Sequence, residues 1–395
     1  MSLWQINIIM DKFNRRKFIK SASLASLGSA SLLAAACSKK EGDHNVSVNI
    51  NTNETYEWKM VTTWPPNFPI FTDRLNEFAK AVEKMSSGRM KIQVYGGGEL
   101  VPPFESFEAV SQGTAEMGHG AAYYWAGKSP VMQFFTSVPF GMNAQQTNAW
   151  LYYGGGLDLW REEYAKYNLT TFPGGNTGGQ MGGWFNKEIN TIADFNGLKI
   201  RMPGLGGKVV TKAGATSILS PGGEIYTNLE RGVIDATEWI GPNHDYVMGF
   251  HKIAKYYYYP GWHEPSACCD LFINKATFDK LPAELQDMIS EGAAALNVEM
   301  LSDFETKNSE YLIKIKQESG VELKEFPQEV LDKLQELTAE VINEITNSNA
   351  DCKRVYDSYK QFYDNIAQWS SLVDRNYLAG QNTAPEKKEE EKKPA

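Results

Sequence analysis

The chain has 395 residues, of which 42% are hydrophobic and 12% aromatic, and its formal net charge is −9. This length supports a large core and exceeds one simple domain, so we expect two lobes. The negative balance argues against nucleic acids and anionic membranes as partners, and an anionic ligand would need a local positive group.

Residues 1–37 have the pattern of an export signal. Arg15 and Arg16 resemble a twin-arginine signal, and the apolar run after them is too short and too rich in serine to span a membrane. The run ends at Cys37, which resembles the lipidated cysteine of a bacterial lipobox. Ordinary cleavage after the alanines, with Cys37 as a bystander, is the alternative.

Two polar segments flank a globular part predicted over 55–380. Residues 38–54 predict a flexible tether, and residues 381–395 predict a disordered tail of balanced charge. The cysteines of the globular part show no metal-type spacing, and the neighbours Cys268 and Cys269 are typical of small apolar residues on a buried strand.

Strand and helix patterns alternate along the globular part. Residues 56–64 predict a first strand, and the spacing of apolar residues from Phe71 to Met85 predicts a helix. The following segments extend this to strand–helix–strand–helix–strand, which opens a parallel α/β lobe. After residue 282 the pattern is mostly helical, with a long helix to residue 318 in which Gly292 permits close packing.

Common catalytic motifs are absent from the sequence. The glycine-rich segments match neither the dinucleotide fingerprint nor the Walker loop, and we find no nucleophile elbow. The five histidines are scattered without zinc-ligand spacing. His244 and Asp245 could form an acid–base pair, but adjacent residues usually point apart, so we expect no such pair.

Two glutamates lie at the ends of predicted strands. Glu238 ends a strand in "ATEWIGPN", and Glu264 comes just before another strand. Alone, Glu238 suits an edge charge or a general base. Neighbouring carboxylates repel unless a proton or a cation intervenes, so an acid–base enzyme and a cation site both remain open. With Gln180 every candidate ligand is a hard oxygen, which favours Na⁺ or Ca²⁺ over zinc or copper.

Arg201 ends a predicted strand before a Pro-Gly turn, on a strand that we expect to neighbour the segment of Gln180. It could cap a surface, or its planar fork could bind a carboxylate ligand. Tyr123 and Tyr124 lie where another strand runs into a loop, and they suit either the core or a cleft wall.

Three segments, in order along the chain, resemble the extracytoplasmic solute-binding subunits of TRAP transporters, and in particular the branch that captures 2-oxo acids. They are "GGNTGGQMGGWFNKEINTIADFNGLKIRMPGLGGKV", "ERGVIDATEWIGPNHD" and "LFINKATFDKLPAELQDMI". The resemblance covers residues 55–378 and implies an α/β, two-lobe periplasmic-binding-protein fold with crossing hinge strands and long C-terminal helices. It implies interleaved lobes over 55–178 plus 265–305 and 179–264 plus 306–345, followed by a helix over 351–378.

The resemblance also implies residue roles. Arg201 corresponds to the arginine that clamps the substrate carboxylate. Gln180, Glu238, the carbonyl of Trp239 and Glu264 correspond to the ligands of a bridging Na⁺ or Ca²⁺ ion.

The wall of the substrate site is implied in the same way. Tyr123 and Tyr124 correspond to its first-lobe side, and Gln180 and Trp239 are expected to contact substrate as well as the cation.

The implied function is capture of a small 2-oxo or 2-hydroxy carboxylate in the periplasm for a TRAP membrane permease, without catalysis. A homodimer through the C-terminal helices is also implied, and a lipid anchor at Cys37 would depart from the usual soluble form. The alternatives are an extracytoplasmic acid–base enzyme that uses Glu238 and Glu264, and a ligand sensor of the same fold.

Overall fold

The structure is a computed structural model that describes residues 54–318 and 320–375. The predicted export signal with Cys37, the charged tail over 381–395 and all but the last residue of the tether over 38–54 lie outside the described residues. Those three hypotheses therefore stay predictions.

Five strands form the first sheet, in the order β2-β1-β3-β10-β4. Their ranges are β1 Tyr56–Thr62, β2 Met90–Tyr95, β3 Met117–Gly120, β4 Leu169–Asn176 and β10 Cys268–Asn274. The first three strands are parallel, as the alternation of strand and helix predicts. β10 runs antiparallel to both β3 and β4.

The second sheet has six strands, in the order β11-β9-β5-β8-β6-β7. Their ranges are β5 Gly183–Phe185, β6 Lys199–Arg201, β7 Thr216–Ser217, β8 Ala236–Thr237, β9 Tyr256–Tyr259 and β11 Glu322–Glu325. We expected the strand of Arg201 to neighbour the segment of Gln180, and this is wrong. β8 lies between β5 and β6, because it pairs with both of them.

The helices α1 to α12 connect and cover these strands. Their ranges are α1 Phe71–Met85, α2 Ser106–Ser111, α3 Gln133–Thr136, α4 Ala144–Tyr153, α5 Gly156–Ala165, α6 Gly204–Lys212, α7 Gly222–Glu230, α8 Pro242–Val247, α9 Lys275–Phe278, α10 Ala283–Gln317, α11 Gln328–Ser348 and α12 Ala350–Ser370. Short 3₁₀ turns, one of them over Ala122–Trp125, lie between some of these elements.

The long helix α10 joins the two halves of the molecule. It packs against β4 and α1 near the first sheet and against α8, which follows strand β8 of the second sheet. A Cβ at Gly292 would lie 3.0 Å from the ring of Phe78 on α1, so this glycine permits close packing, as predicted. The helix therefore couples the positions of both sheets.

The strands divide between the two predicted lobes. Those of the first sheet fall within 55–178 plus 265–305, and those of the second within 179–264 plus 306–345. The exact lobe boundaries stay a prediction. α12 ends at Ser370 and a π-helical turn follows over Ser371–Arg375. The last three residues of the helix predicted over 351–378 lie outside the described residues.

The three cysteines of the described residues are buried and unbonded, and the first two lie on β10 as apolar packing residues. Among the helices of residues 54–318 and 320–375, none combines the length and the apolar character that a membrane span requires.

Candidate functional site

Strand direction brings residues that are distant in sequence to one edge of the first sheet. Because β10 is antiparallel to β3 and β4, its first residues lie beside the last residues of those strands. Asp270 pairs with Gly120, and Cys268 pairs with Asn176. The loops at this edge carry the predicted site residues Tyr123, Tyr124, Gln180 and Glu264.

The second sheet supplies the remaining site residues in the same way. β6 and β8 are parallel neighbours, with Arg201 opposite Thr237. The backbone N–H of Glu238 donates to the carbonyl of Arg201 at 3.1 Å. Arg201, Glu238 and Trp239 therefore leave the sheet side by side and face the residues of the first sheet.

Arg201 is bound on several sides. Its Nη1 forms an ion pair with Oε1 of Glu238, and its Nη2 donates to the hydroxyl of Tyr124 at 3.4 Å. The guanidinium lies 5.1 Å from the ring centroid of Trp239. Burial disfavours the charge, but the carboxylate of Glu238 outweighs it and the pKa of Arg201 is raised. With 1% of its surface exposed, Arg201 does not cap a surface, so that alternative is wrong.

Glu238 also belongs to a group of three potential cation ligands. One ligand atom from each of Glu238, His263 and Glu264 lies within 4.8 Å of the others, and all three residues are buried. The amide of Gln180 donates to Oε2 of Glu264 at 2.7 Å and to the hydroxyl of Thr177 at 3.1 Å. Burial and the nearby Glu238 carboxylate raise the pKa of Glu264.

The donor set fits a hard cation. Within residues 54–318 and 320–375, Oε1 of Gln180 and Oε2 of Glu238 are buried without a hydrogen-bond partner. Such unpaired oxygens are costly, at about 1–3 kcal/mol each. A Na⁺ or Ca²⁺ ion would satisfy both oxygens and relieve the repulsion between the two carboxylates.

His263 is a site residue that the sequence reasoning missed. Its Nε2 lies 3.4 Å from Oε2 of Glu238, and within the described part of the chain neither ring nitrogen has a hydrogen-bond partner. The signal that could have found it is its position directly before Glu264 in "GWHEPS".

A small closed cavity adjoins these groups. Its volume is about 10 Å³, which is room for about one water, and its walls include Trp64, Phe71, Gln180 and Trp239. Tyr123 and Tyr124 line both this cavity and an outer cleft of about 690 Å³. The two tyrosines therefore form a wall between the closed site and the cleft. Trp64 and Phe71 were missed, since their pattern indicates ordinary core.

Main-chain contact fixes the loop of Gln180. The N–H of Gly261 donates to the carbonyl of Gln180 at 3.0 Å, and a Cβ at Gly261 would lie 2.3 Å from that carbonyl oxygen. Only glycine fits this approach.

His244 and Asp245 do not form an acid–base pair, as expected. The ring of His244 bonds the carbonyl of Pro69, whereas the carboxyl of Asp245 accepts from Trp184 and Tyr257. Burial raises the pKa of Asp245 to about 7.

Comparison with known proteins gives consistent matches over the described fold. Residues 60–349 match the family model DctP, described as bacterial extracellular solute-binding protein, family 7. A monocarboxylate 2-oxoacid-binding periplasmic protein from Nostoc sp. (strain PCC 7120) is 42% identical over 81% of this chain and 87% of its own length.

Two solved structures are similar as well. A TRAP periplasmic solute-binding protein from Pseudoalteromonas atlantica T6c, with bound sodium and pyruvate, is 41% identical, with a TM-score of 0.81 over 82% of this chain and 99% of its own. A TRAP solute-binding protein from Bordetella bronchiseptica RB50, a dimer with calcium and picolinate in one active site, is 38% identical, with a TM-score of 0.81 over 84% of this chain and 98% of its own.

Proposed function

Because the chain belongs to the DctP family of bacterial extracellular solute-binding proteins, we propose that it captures a small 2-oxo or 2-hydroxy carboxylate for uptake by a TRAP transporter. The observation that carries this proposal is a buried guanidinium beside two carboxylates and unpaired oxygen donors. Such a site holds an anion and a cation together, and it lies at the closed contact between the two sheets.

Arg201 binds the substrate carboxylate through its planar fork. Gln180, Glu238, the main-chain carbonyl of Trp239 and Glu264 hold Na⁺ or Ca²⁺. When bound, the cation supplies positive charge that offsets the two glutamates and offers coordination positions to substrate oxygens. The guanidinium exchanges its present partner, Glu238, for the substrate.

Aromatic residues limit the size of the substrate. Tyr123, Tyr124 and Trp239 enclose the small cavity, and Tyr124 also contacts Arg201. Burial raises the pKa of Tyr124 to about 12, so its hydroxyl stays neutral beside a bound anion. The relatives that bind pyruvate and picolinate support a ligand of similar size for this chain.

The site serves binding rather than catalysis. Relatives over most of the chain are described as binding proteins. Glu238 forms a buried ion pair with Arg201 and lies beside Glu264, an arrangement that suits a cation ligand better than half of an acid–base pair. The alternative of an enzyme that uses Glu238 and Glu264 is therefore not favoured. No specific observation favours the other alternative, a ligand sensor of the same fold.

The family is extracytoplasmic, and we place this chain in the periplasm, exported by a twin-arginine signal and anchored through a lipid on Cys37. Its partners are then the TRAP permease subunits. We also propose a homodimer through α12, where Trp369 is 65% exposed. The dimeric relative from Bordetella bronchiseptica supports that assembly.

Calorimetry with Arg201→Ala tests the proposal. Wild-type protein with Ca²⁺ is expected to bind pyruvate at one site per chain, and Arg201→Ala is expected to bind none. Arg231→Ala, a change of an exposed arginine, is the control. If Arg201→Ala folds and binds pyruvate as tightly as wild type, the proposed role of the guanidinium is wrong.

A further inference from the structure

The loop between β1 and α1 has an unusual backbone. Ile70 has φ 64° and ψ −61°, and the N–H of Phe71 donates to the carbonyl of Pro69 at 2.7 Å. These values describe a γ-turn of positive φ, which is rare and strained. For a β-branched residue positive φ is a true outlier, and such a conformation persists only where its surroundings hold it.

His244 holds this turn from the other sheet. Its Nε2 lies 2.9 Å from the carbonyl oxygen of Pro69, and because a carbonyl only accepts, Nε2 is the donor. Pro69 follows a strand of the first sheet, whereas His244 lies on α8, which follows β8 of the second. The bond therefore joins a segment that follows the first sheet to a helix that follows the second.

Packing reinforces the hydrogen bond. The ring of His244 lies 4.5 Å from Phe68, 5.2 Å from Phe71 and 4.8 Å from Phe304, measured between ring centroids. His244 is fully buried, and burial lowers its pKa to about 3. The neutral ring is thus a fixed donor in the closed protein.

The turn leads directly to the wall of the closed cavity. Phe71, its last residue, stacks on Trp64 with centroids 3.8 Å apart and an interplanar angle of 7°. Both residues line the cavity that adjoins Gln180 and Trp239.

The other end of this wall is fixed within the first lobe. Nε1 of Trp64 donates to Nδ1 of His119 at 2.7 Å, and Nε2 of His119 lies 2.9 Å from the carbonyl oxygen of Gly174 on β4. The two contacts agree on one tautomer, with the proton on Nε2. The Trp64 end of the wall is therefore held within the first sheet. The Phe71 end receives the hydrogen bond of His244 in addition to the contacts of its own helix and of Phe304.

We propose that His244 is a positioning residue for ligand retention, which locks the Trp64–Phe71 wall through the Pro69 carbonyl only when the lobes close. This inference rests on the proposed function of the cavity as the carboxylate site. Ligand entry precedes closure, so the His244 contact acts on dissociation. Loss of one hydrogen bond across the lobes is expected to speed release about three- to tenfold and leave association little changed.

Stopped-flow tryptophan fluorescence with pyruvate and Ca²⁺ tests this. His244→Phe keeps a ring of similar size but cannot donate, and it is expected to release pyruvate about three- to tenfold faster than wild type. His244→Gln retains a side-chain N–H donor and is expected to restore most of the slow release. His251→Phe is the matched control, because that ring is only half-buried, stacks on Tyr246 and does not line the cavity.

Each result bears on a distinct claim. If wild type does not bind pyruvate, the proposed function fails and this inference fails with it. If wild type binds and His244→Phe releases pyruvate at the wild-type rate, only the role of His244 is overturned. If His244→Gln releases as fast as His244→Phe, the donated hydrogen bond is not the cause and the inference is equally overturned.

Discussion

Arg201 and Glu238 form an ion pair that is almost completely removed from water, with 1% and 0% of the side chains exposed. The residue that we propose for the substrate anion is thus engaged by a residue that we propose for the cation. Each neutralises the charge of the other. These proposed roles predict that substrate and cation are coupled, because either ligand releases the partner that the other one needs.

We expect pyruvate to bind at least about fivefold more tightly with saturating Ca²⁺ than after removal of cations with a chelator. A cation at Glu238 frees the guanidinium of Arg201 for the substrate. Calorimetric titrations at several fixed Ca²⁺ concentrations measure the effect, and pyruvate must raise the affinity for Ca²⁺ by the same factor. Identical pyruvate affinities at every Ca²⁺ concentration would rule out the coupling.

The buried pair also predicts non-additive stability. Arg201→Met or Glu238→Gln alone leaves a buried charge without its partner and is expected to lower the free energy of unfolding by about 3–5 kcal/mol. The double variant is expected to lose clearly less than the sum of the two. Urea denaturation of wild type, the two single variants and the double variant measures the four free energies of unfolding that this comparison needs.

The matched control for this comparison is the surface pair of Arg354 on α12 and Glu162 on α5, whose side chains are 49% and 55% exposed, and each single change there is expected to cost about 1 kcal/mol or less. Additive losses at Arg201 and Glu238 would contradict an energetically coupled pair.

Asp270 predicts a pH-dependent stability. Burial raises its pKa from 3.8 to about 7, and its Oδ2 accepts from the hydroxyl of Tyr164 at 2.5 Å. A carboxyl with a raised folded-state pKa stabilises the fold fully below about pH 4, and this contribution is lost as the pH rises through about 7. Between these pH values the free energy of unfolding of Asp270→Asn should therefore rise relative to that of wild type, by up to about 1.4 kcal/mol per pH unit.

Urea denaturation of wild type and Asp270→Asn from pH 4.5 to 8 measures this difference. Asp245, whose pKa burial also raises to about 7, is present in both proteins and cancels. Asp279→Asn, an exposed change just after α9, controls for the general effect of removing a carboxylate. A stability difference that is constant over this pH range would argue against the buried carboxyl as the cause.

If Cys37 carries a lipid, the protein is expected at a membrane. In a bacterial host that lipidates exported proteins, the full chain is expected in the membrane fraction and labelled with radioactive palmitate, and Cys37→Ala is expected in the soluble periplasmic fraction without label. Fractionation followed by autoradiography measures both. Unlabelled wild type in the soluble fraction would favour the alternative of ordinary cleavage.

Local patterns were sufficient for much of the fold. Alternating strands and helices predicted the parallel order of β1, β2 and β3, and strand ends located Arg201 and Glu238 correctly. The placement of β8 between β5 and β6 was missed, because strand order depends on long-range pairing that no local pattern encodes.

The site shows the same division between local and long-range information. Strand-end positions, ligand chemistry and the family resemblance together selected Gln180, Arg201, Glu238 and Glu264, and the structure brings them together. The ion pair of Arg201 with Glu238 was not foreseen, since it depends on the register of β6 against β8. The roles of these residues as ligands remain predictions.

Gly261 has a consequence for how this protein can evolve. Any side chain there would collide with the carbonyl of Gln180, so main-chain contact fixes one edge of the proposed cation site. The substrate wall depends instead on the side chains of Trp64 and Tyr123, which single codon changes can replace. Mutation can therefore alter which carboxylate is captured more readily than it can alter the proposed cation site. Descendants of this chain should differ in their substrate before they differ in the cation that they bind.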